Sequence, residues 1–302
     1  VSIVVEHLSY IYNLGAPQEH VALRDVSLTI PDGVCAAIIG VTGSGKSTLT
    51  QHFNGLLLPT SGRVIVDGLD VTAKTTRPEH LLELRRRVGL LFQFPEAQLF
   101  APTIADDVAF GPRQLRLKDK VVKERVRWAL NAVALPTDTE FLARSPFALS
   151  GGQRRRVALA GVLAMRPLTL ALDEPSAGLD AEAREEIYAC LDDLRAREGV
   201  TLVIVSHDMS EVAHLADVIF ALAGGELKLS GPPEEVFKRT DEILACGLLP
   251  PPLAQTVALA REHGLNVGAA SDAPLTPDAL APALAASLGA EHAEYGLNGH
   301  RT

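Results

Sequence analysis

Cysteine is scarce in this chain. Cys35, Cys190 and Cys246 are scattered through 302 residues with no CxxC spacing. They read as small buried hydrophobes in a reducing compartment, not as a disulfide or metal framework. Long apolar runs are missing too. No stretch approaches the roughly 20 residues a membrane helix needs, although 47% of residues are hydrophobic, ample for a packed core. Positive charge is in deficit: the formal net charge is −9 and the pI near 5.5. That argues against broad nucleic-acid binding, which needs a basic face. The nine histidines show no metal-ligand cluster, and no internal repeat is present. The opening VSIVVEHLSY alternates like a strand and lacks a basic n-region, so it does not read as a signal peptide. A soluble, cytoplasmic chain of one large domain or two smaller ones is expected.

Two stretches organise what is there. Gly40 to Ser47 reads GVTGSGKS and fits G-x-x-x-x-G-K-[ST], the phosphate-binding loop. The apolar run Val34 to Ile39 before it reads as a buried strand, and Thr48 to Asn54 after it as the start of a helix. Gly40, Gly43, Ser44 and Gly45 allow the backbone to turn its N–H groups toward phosphates, and the helix start adds its positive dipole end. Lys46 can bridge the outer phosphates and Ser47 can offer a hydroxyl to Mg²⁺. The competing reading is a glycine-rich turn with a surface lysine. The second stretch, Leu149 to Gln153, reads LSGGQ and precedes a helix from Arg154 to Met165. Ser150, Gly151 and Gly152 make a second anion-binding helix start, or a plain N-cap without ligand. Arg154, Arg155 and Arg156 sit in the first turn, where positive charge is unfavourable. That misplacement points to a nearby anion or acidic partner, or else the arginines are exposed, where the position is tolerated.

The remaining elements follow from periodicity. Ile3 to Leu8, Val26 to Ile30 and Gly62 to Val66 read as strands, the last closed by Asp67-Gly68, with a polar loop from Asn13 to His20. Tyr12, at the end of the first strand, can stack on an adenine face, with Tyr10 as its competitor. Pro78 to Arg87 reads as a helix whose Arg85, Arg86 and Arg87 are a solvated end or an anion patch. Val88 to Phe92 reads as a strand with Gln93 at its carboxyl end. Thr103 to Phe110 reads as a capped helix and Lys118 to Ala134 as an amphipathic one. Leu168 to Leu172 reads as a strand ending in Asp173-Glu174. There Asp173 can hold the Mg²⁺ shell and Glu174 can orient or deprotonate the attacking water. SAGLD leads from Ser176 to Asp180 into a helix over Ala181 to Glu198. Val200 to Val205 reads as a strand with His207 just beyond, placed to reach a γ-phosphate or merely structural. Asp217 to Leu222 and Glu226 to Ser230 read as a hairpin. The whole implies an α/β fold: a mainly parallel core sheet, an antiparallel β layer and a helical subdomain, with active residues at carboxyl ends of strands.

GVTGSGKS, Gln93, LSGGQ, LALDEP, SAGLD and SHD stand in the order and spacing of ABC-type ATPases, which the chain resembles over roughly residues 3 to 240. FQFPEAQLF, SPFALSGGQRRRVALAGVLAM and the C-terminal extension narrow the resemblance to the ATPase subunits of energy-coupling factor (ECF) transporters. GVTGSGKST is closer to one of that family's two sister types, although Val41 stands where the type usually carries histidine. The resemblance implies a domain over residues 1–240 with a helical subdomain at about 94–165, and a helical dimerisation extension over 241–302 with a frayed tail. It implies ATP and Mg²⁺ as cofactors. By it, Tyr12 stacks on adenine, and Gly40, Gly43, Ser44, Gly45, Lys46, Ser47 and Thr48 cradle the phosphates. Ser47, Gln93 and Asp173 serve Mg²⁺, while Gln93, Glu174 and His207 act in catalysis. Ser150, Gly151, Gly152, Gln153 and Asp180 meet the nucleotide of an opposing subunit.

The implied partners are a second ATPase (identical or sister), a transmembrane coupling protein docking near Gln93 to Phe100, and indirectly a membrane substrate-binding protein for vitamins or cobalt and nickel. Glu96 is a candidate counter-charge for an arginine on the coupling helix. No nucleic-acid partner is implied, and the location is the cytoplasmic face of the cell membrane. A conventional importer ATPase is the alternative. A soluble ABC ATPase of DNA maintenance is disfavoured, because only about 100 residues separate the two organising motifs and no long heptad run lies between them.

Overall fold

Alternation along three strands places the core. In the computed structural model, which describes residues 2–72 and 78–263, β3 (Cys35–Ile39) sends Cys35, Ala37 and Ile39 to one side of a sheet. Its Ala36 and Ile38 go to the other. The same split holds for Leu170 and Leu172 against Ala171, and for Leu202 and Ile204 against Val203 and Val205. A strand buried on both faces needs an uninterrupted apolar run, which is what the sequence supplies.

The elements follow in chain order. β1 (Ile3–Tyr12) and β2 (His20–Ile30) precede β3, α1 (Lys46–Phe53), β4 (Ser61–Val66) and β5 (Leu69–Asp70). Then come α2 (Pro78–Arg87), β6 (Val88–Leu91), a 3₁₀ turn at Pro95–Gln98, α3 (Ile104–Gln114), α4 (Asp119–Ala132) and α5 (Thr139–Ala143). A second 3₁₀ turn, Pro146–Ala148, leads to α6 (Gly151–Leu163), β7 (Thr169–Asp173), α7 (Ala181–Glu198), β8 (Thr201–Ser206) and α8 (Met209–Leu215). The hairpin β9 (Val218–Ala223) and β10 (Glu226–Gly231) is followed by α9 (Pro233–Val236), α10 (Thr240–Ala245) and α11 (Pro252–Glu262).

Two sheets result. Four antiparallel strands run β2-β1-β4-β5, and six run β10-β9-β3-β8-β7-β6, parallel except for the β9–β10 pair. One cluster, with Ile3, Val26, Leu49 and Phe53, joins the β layer and α1 to the core sheet. The other cluster joins the opposite face to α3, α4, α6 and α7.

Three local readings are extended or replaced, and one helix is new. β1 runs on to Tyr12 through register shifts, where His7 (φ 51°) and Asp25 (φ 50°) break the alternation and their side chains meet at 2.7 Å. α3 continues past Phe110 through Pro112, because a proline in the last turns removes only one helical bond and Leu115 N–H closes on the Gly111 carbonyl. α5 arises from Asp138, whose carboxylate caps Phe141 N–H at 2.9 Å. The three arginines expected in a first turn fall at the fourth to sixth positions of α6, which opens at Gly151: Arg155 meets backbone carbonyls and Arg156 meets Glu186 at 3.1 Å, while the buried Arg154 Nε has no hydrogen bond among the described residues. All three cysteines are free and buried. The extension expected from residue 241 starts as two helices, α10 and α11, with Pro250 and Pro251 between them. The rest of that extension, with its expected frayed tail, lies outside the described residues.

Candidate functional site: a phosphate-binding cavity at the carboxyl ends of the strands

The loop between β3 and α1 is shaped by two glycines that nothing larger can replace. A Cβ on Gly40 would lie 2.4 Å from the Leu222 carbonyl oxygen and from Ser44 Oγ. Gly45 has φ +102°, caps α1, and its Cβ would meet the Ala22 carbonyl oxygen at 2.6 Å. The loop is thereby pressed between β2 and β9. The loop and the start of the eight-residue helix α1 line a cavity of about 250 Å³.

Three walls line that cavity. Tyr12, His20 and Ala22 come from the antiparallel layer; Thr42, Gly43, Gly45, Lys46, Ser47 and Thr48 from the loop; Gln93, Asp173 and Glu174 from ends of core strands. Of the two competing tyrosines, Tyr12 lines the cavity and its hydroxyl lies 3.2 Å from Thr48 Oγ1. Tyr10 instead packs edge-on against the buried His52 ring at 4.9 Å.

The polar groups converge. Lys46 is buried and its Nζ donates to the carbonyls of Gly40 (2.7 Å) and Val41 (3.0 Å). Burial lowers its pKa below the usual lysine value, opposed by the negative charges of Glu174 and Asp173. Ser47 donates to Asp173 Oδ2 at 2.6 Å. Burial also raises the Asp173 pKa, opposed by the Ser47 hydroxyl and the Lys46 ammonium. Glu174 is almost fully buried and sits in the left-handed region (φ 54°), where a residue with a side chain is strained by about 1–2 kcal/mol. Its N–H bonds the Val205 carbonyl at 2.9 Å, which ties this strained residue to β8. The exposed His207 brings Nδ1 to 2.6 Å from Glu174 Oε1. Asp173, Glu174 and His207 thus meet because β7 and β8 are parallel neighbours.

Ser150 to Gln153 lie apart from this cavity among the described residues. They open α6 as a capping box: Ser150 Oγ accepts from Gln153 N–H at 3.3 Å, and Gln153 Oε1 accepts from Ser150 N–H at 3.3 Å. Ser150 and Gly151 are exposed, so this helix start is open to solvent. Asp180 likewise caps α7, at 2.9 Å from Ala183 N–H, and is outside the lining. Glu96 brings its Oε2 to 3.7 Å from Arg155 Nε, so it has an ion-pair partner within the chain. Sequence reasoning also missed His20, Ala22 and Thr42. The polar loop ending at His20 was the only signal for the first two, while Thr42 lay unsingled inside the glycine motif.

A strand, a glycine loop and a helix around a buried lysine and a half-buried aspartate define a P-loop nucleotide cassette. Comparisons narrow the class. The ABC transporter family profile matches residues 23–177. The energy-coupling factor transporter ATP-binding protein EcfA2 of Symbiobacterium thermophilum is 52% identical over 88% of this chain and 90% of its own length. The EcfA2 of Clostridium tetani is 45% identical over 88% and 91%. Among solved structures, cbiO1 from Clostridium perfringens, part of the ABC transporter complex cbiONQ, aligns with a TM-score of 0.69 at 36% identity over 85% of this chain and 98% of its own. A dimeric ATP-binding cassette in a post-hydrolysis state bound to ADP and Pi aligns with a TM-score of 0.67 at 28% identity, over 76% and 98%.

The chain belongs to the ABC transporter ATP-binding family and, within it, to the ATPase subunits of energy-coupling factor transporters. It binds and hydrolyses ATP in transport, as a membrane-associated subunit that works with a partner ATPase and membrane components. No helix among the described residues is long and apolar enough to cross a membrane.

Proposed function

We propose that the chain is one half of an ATP-gated clamp that drives a membrane coupling protein from the cytoplasmic face. The observation that carries this is the exposed SGGQ helix start, separate from the chain's own nucleotide cavity. A second subunit, self or sister, supplies that motif to each site, so ATP bridges both chains only when the clamp is closed. Binding then shifts the population toward closure, and hydrolysis releases it.

Within one chain, Tyr12 stacks on the adenine and residues Gly40 to Thr48 hold the phosphates. Lys46 exchanges the Gly40 and Val41 carbonyls for phosphate oxygens. The Ser47 hydroxyl, the Asp173 carboxylate and the Gln93 amide oxygen form a hard-oxygen set that suits Mg²⁺. Mg²⁺ bound there would neutralise phosphate charge. Glu174 accepts a proton from or orients the attacking water, and His207 holds Glu174 in place. Asp180 faces the opposing subunit. Residues 1–240 act as the nucleotide-binding domain, those at about 94–165 as its helical arm, and 241–302 as a dimerisation extension.

The coupling protein seats in a groove of about 460 Å³ beside β6, α3 and α6, lined by Leu90, Phe92, Leu99, Phe100, Phe110 and Met165. Phe100 and Phe110 are exposed and pair edge-on at 4.9 Å, an apolar anchor awaiting a partner. The cargo class is a vitamin, or cobalt and nickel, taken up through a separate membrane protein. A pull-down of the tagged chain from solubilised native membranes tests this. A polytopic coupling protein with a small membrane protein supports the reading, and a second ATPase identifies the clamp partner. Two conventional permeases with a soluble binding protein overturn it.

A further inference from the structure

Arg155 is the fifth residue of α6, just past its first turn, yet its side chain is buried. The guanidinium reaches out of the helix to the segment that follows Glu174. Nη1 donates to the Pro175 carbonyl at 3.3 Å and also to the Ala177 carbonyl. On its other side, Nε faces Glu96 Oε2 at 3.7 Å, and that buried oxygen has no hydrogen bond among the described residues. One side chain therefore touches three segments: the turn after Gln93, the SGGQ helix and the loop from Glu174 to Asp180.

The loop it grips is tightly wound. Ala177 N–H bonds the Glu174 carbonyl at 3.2 Å and Leu179 N–H bonds the Ser176 carbonyl at 3.2 Å, so movement at Pro175 or Ala177 is passed to Glu174. Glu174 is in a left-handed conformation that relaxes unless held from both ends. Val205 holds the N-terminal side and Arg155 the C-terminal side.

We propose that Arg155 is a positioning residue for hydrolysis: it clamps the Pro175–Ala177 backbone and so aims Glu174 into the nucleotide cavity, while Glu96 ties the clamp to the Gln93–Gln98 turn. A lysine has a shorter reach and no planar fork, so it holds one carbonyl at best. A methionine fills the volume and holds neither.

The test uses the full chain as purified, with kcat counted per ATP-binding site and ATP affinity measured separately. Arg155→Met is expected to lower kcat by about 10- to 100-fold, the range for a misplaced catalytic group, with ATP affinity kept within about threefold because the phosphate loop is untouched. Arg155→Lys should fall between, and Glu96→Gln should lower kcat by a few fold in the same split. In a Glu174→Gln background, Arg155→Met should cost almost nothing more in single turnover, since its effect acts through that carboxylate. A purely structural role would multiply with the Glu174 change instead. Wild-type kcat per site in Arg155→Met, or the same fold loss with and without Glu174, overturns the proposal. If Arg155→Met fails to fold, Arg155→Lys and Glu96→Gln carry the same cycle, and an unchanged kcat in both overturns it equally.

Discussion

Acid should loosen the nucleotide site through His52. This histidine is fully buried near the end of α1, five residues beyond Ser47. Its Nδ1 lies 2.7 Å from the Thr48 carbonyl oxygen, an acceptor only, so Nδ1 carries the proton. Nε2 is buried with no partner among the described residues, and Tyr10 closes over the ring. Burial lowers the pKa from 6.5 to about 4, opposed by the bond to Thr48. The unfolded chain therefore binds a proton that the native state refuses between those two values. Stability is complete above about 6.5 and is lost as pH falls toward about 4. A gap of about 2.5 units is worth about 3 kcal/mol, of which about 2 is already gone at pH 5. Urea unfolding at pH 7.5, 5 and 4 measures it, comparing wild type with His52→Gln, whose amide can still bond Thr48. The variant is expected to lack this component of the acid loss. Since Thr48 also bonds Tyr12, affinity for a fluorescent ATP analogue should fall over the same window in wild type and less in the variant. Parallel pH slopes in the two proteins would refute the reasoning.

Other outcomes follow from the same geometry. Glu174→Gln should bind ATP, lose about 10²- to 10⁴-fold in phosphate release, and accumulate as an ATP-bound dimer on size exclusion; near-wild-type turnover would remove Glu174 from its role. Lys46→Ala should weaken ATP binding about 10- to 100-fold by calorimetry, and unchanged affinity would remove Lys46 from the phosphate site. Gly45→Ala should abolish binding and lower Tm, because its Cβ has neither the φ nor the space beside the Ala22 carbonyl. Glu211 is buried and its carboxyl pKa is raised above 4.5 by burial, opposed by the Ser206 and Ser176 hydroxyls. The native state then keeps a proton that the unfolded chain gives up, so stability falls as pH rises through and beyond 4.5. Glu211→Gln should therefore gain on wild type in Tm as pH rises, and a gap independent of pH would show that the carboxyl is ionised in the fold.

Much of this fold is legible because the buried strands carry their own signal. β3, β7 and β8 are covered on both faces, so each is a continuous apolar run that ends where the chemistry begins. α7 is bounded in the sequence by a capping Asp180 and by Gly199, which adopts the left-handed conformation at the C-cap. The antiparallel layer is less legible. His7 and Asp25 take left-handed backbone within strands, and the resulting bulges erase the alternation that marks a half-buried strand. α3 hides behind Gly111-Pro112, which reads as a stop although the helix tolerates it.

The site divides along the same line. Phosphate-loop residues are readable because backbone geometry restricts residue choice, as at Gly40 and Gly45. What the sequence does not carry is which distant groups meet. The Glu174–His207 contact arises from the parallel register of β7 with β8, and the Arg155 clamp from the packing of α6 against the segment after β7. Three arginines that the sequence sets in a first turn fall at the fourth to sixth positions of α6, and Arg155 and Arg156 take different roles there. Arg156 meets Glu186 across α7, whereas Arg155 turns inward to carbonyls that no composition rule flags. A misplaced charge therefore marks where a sequence is answering to tertiary structure, and the partner that explains it can be backbone as readily as an acid.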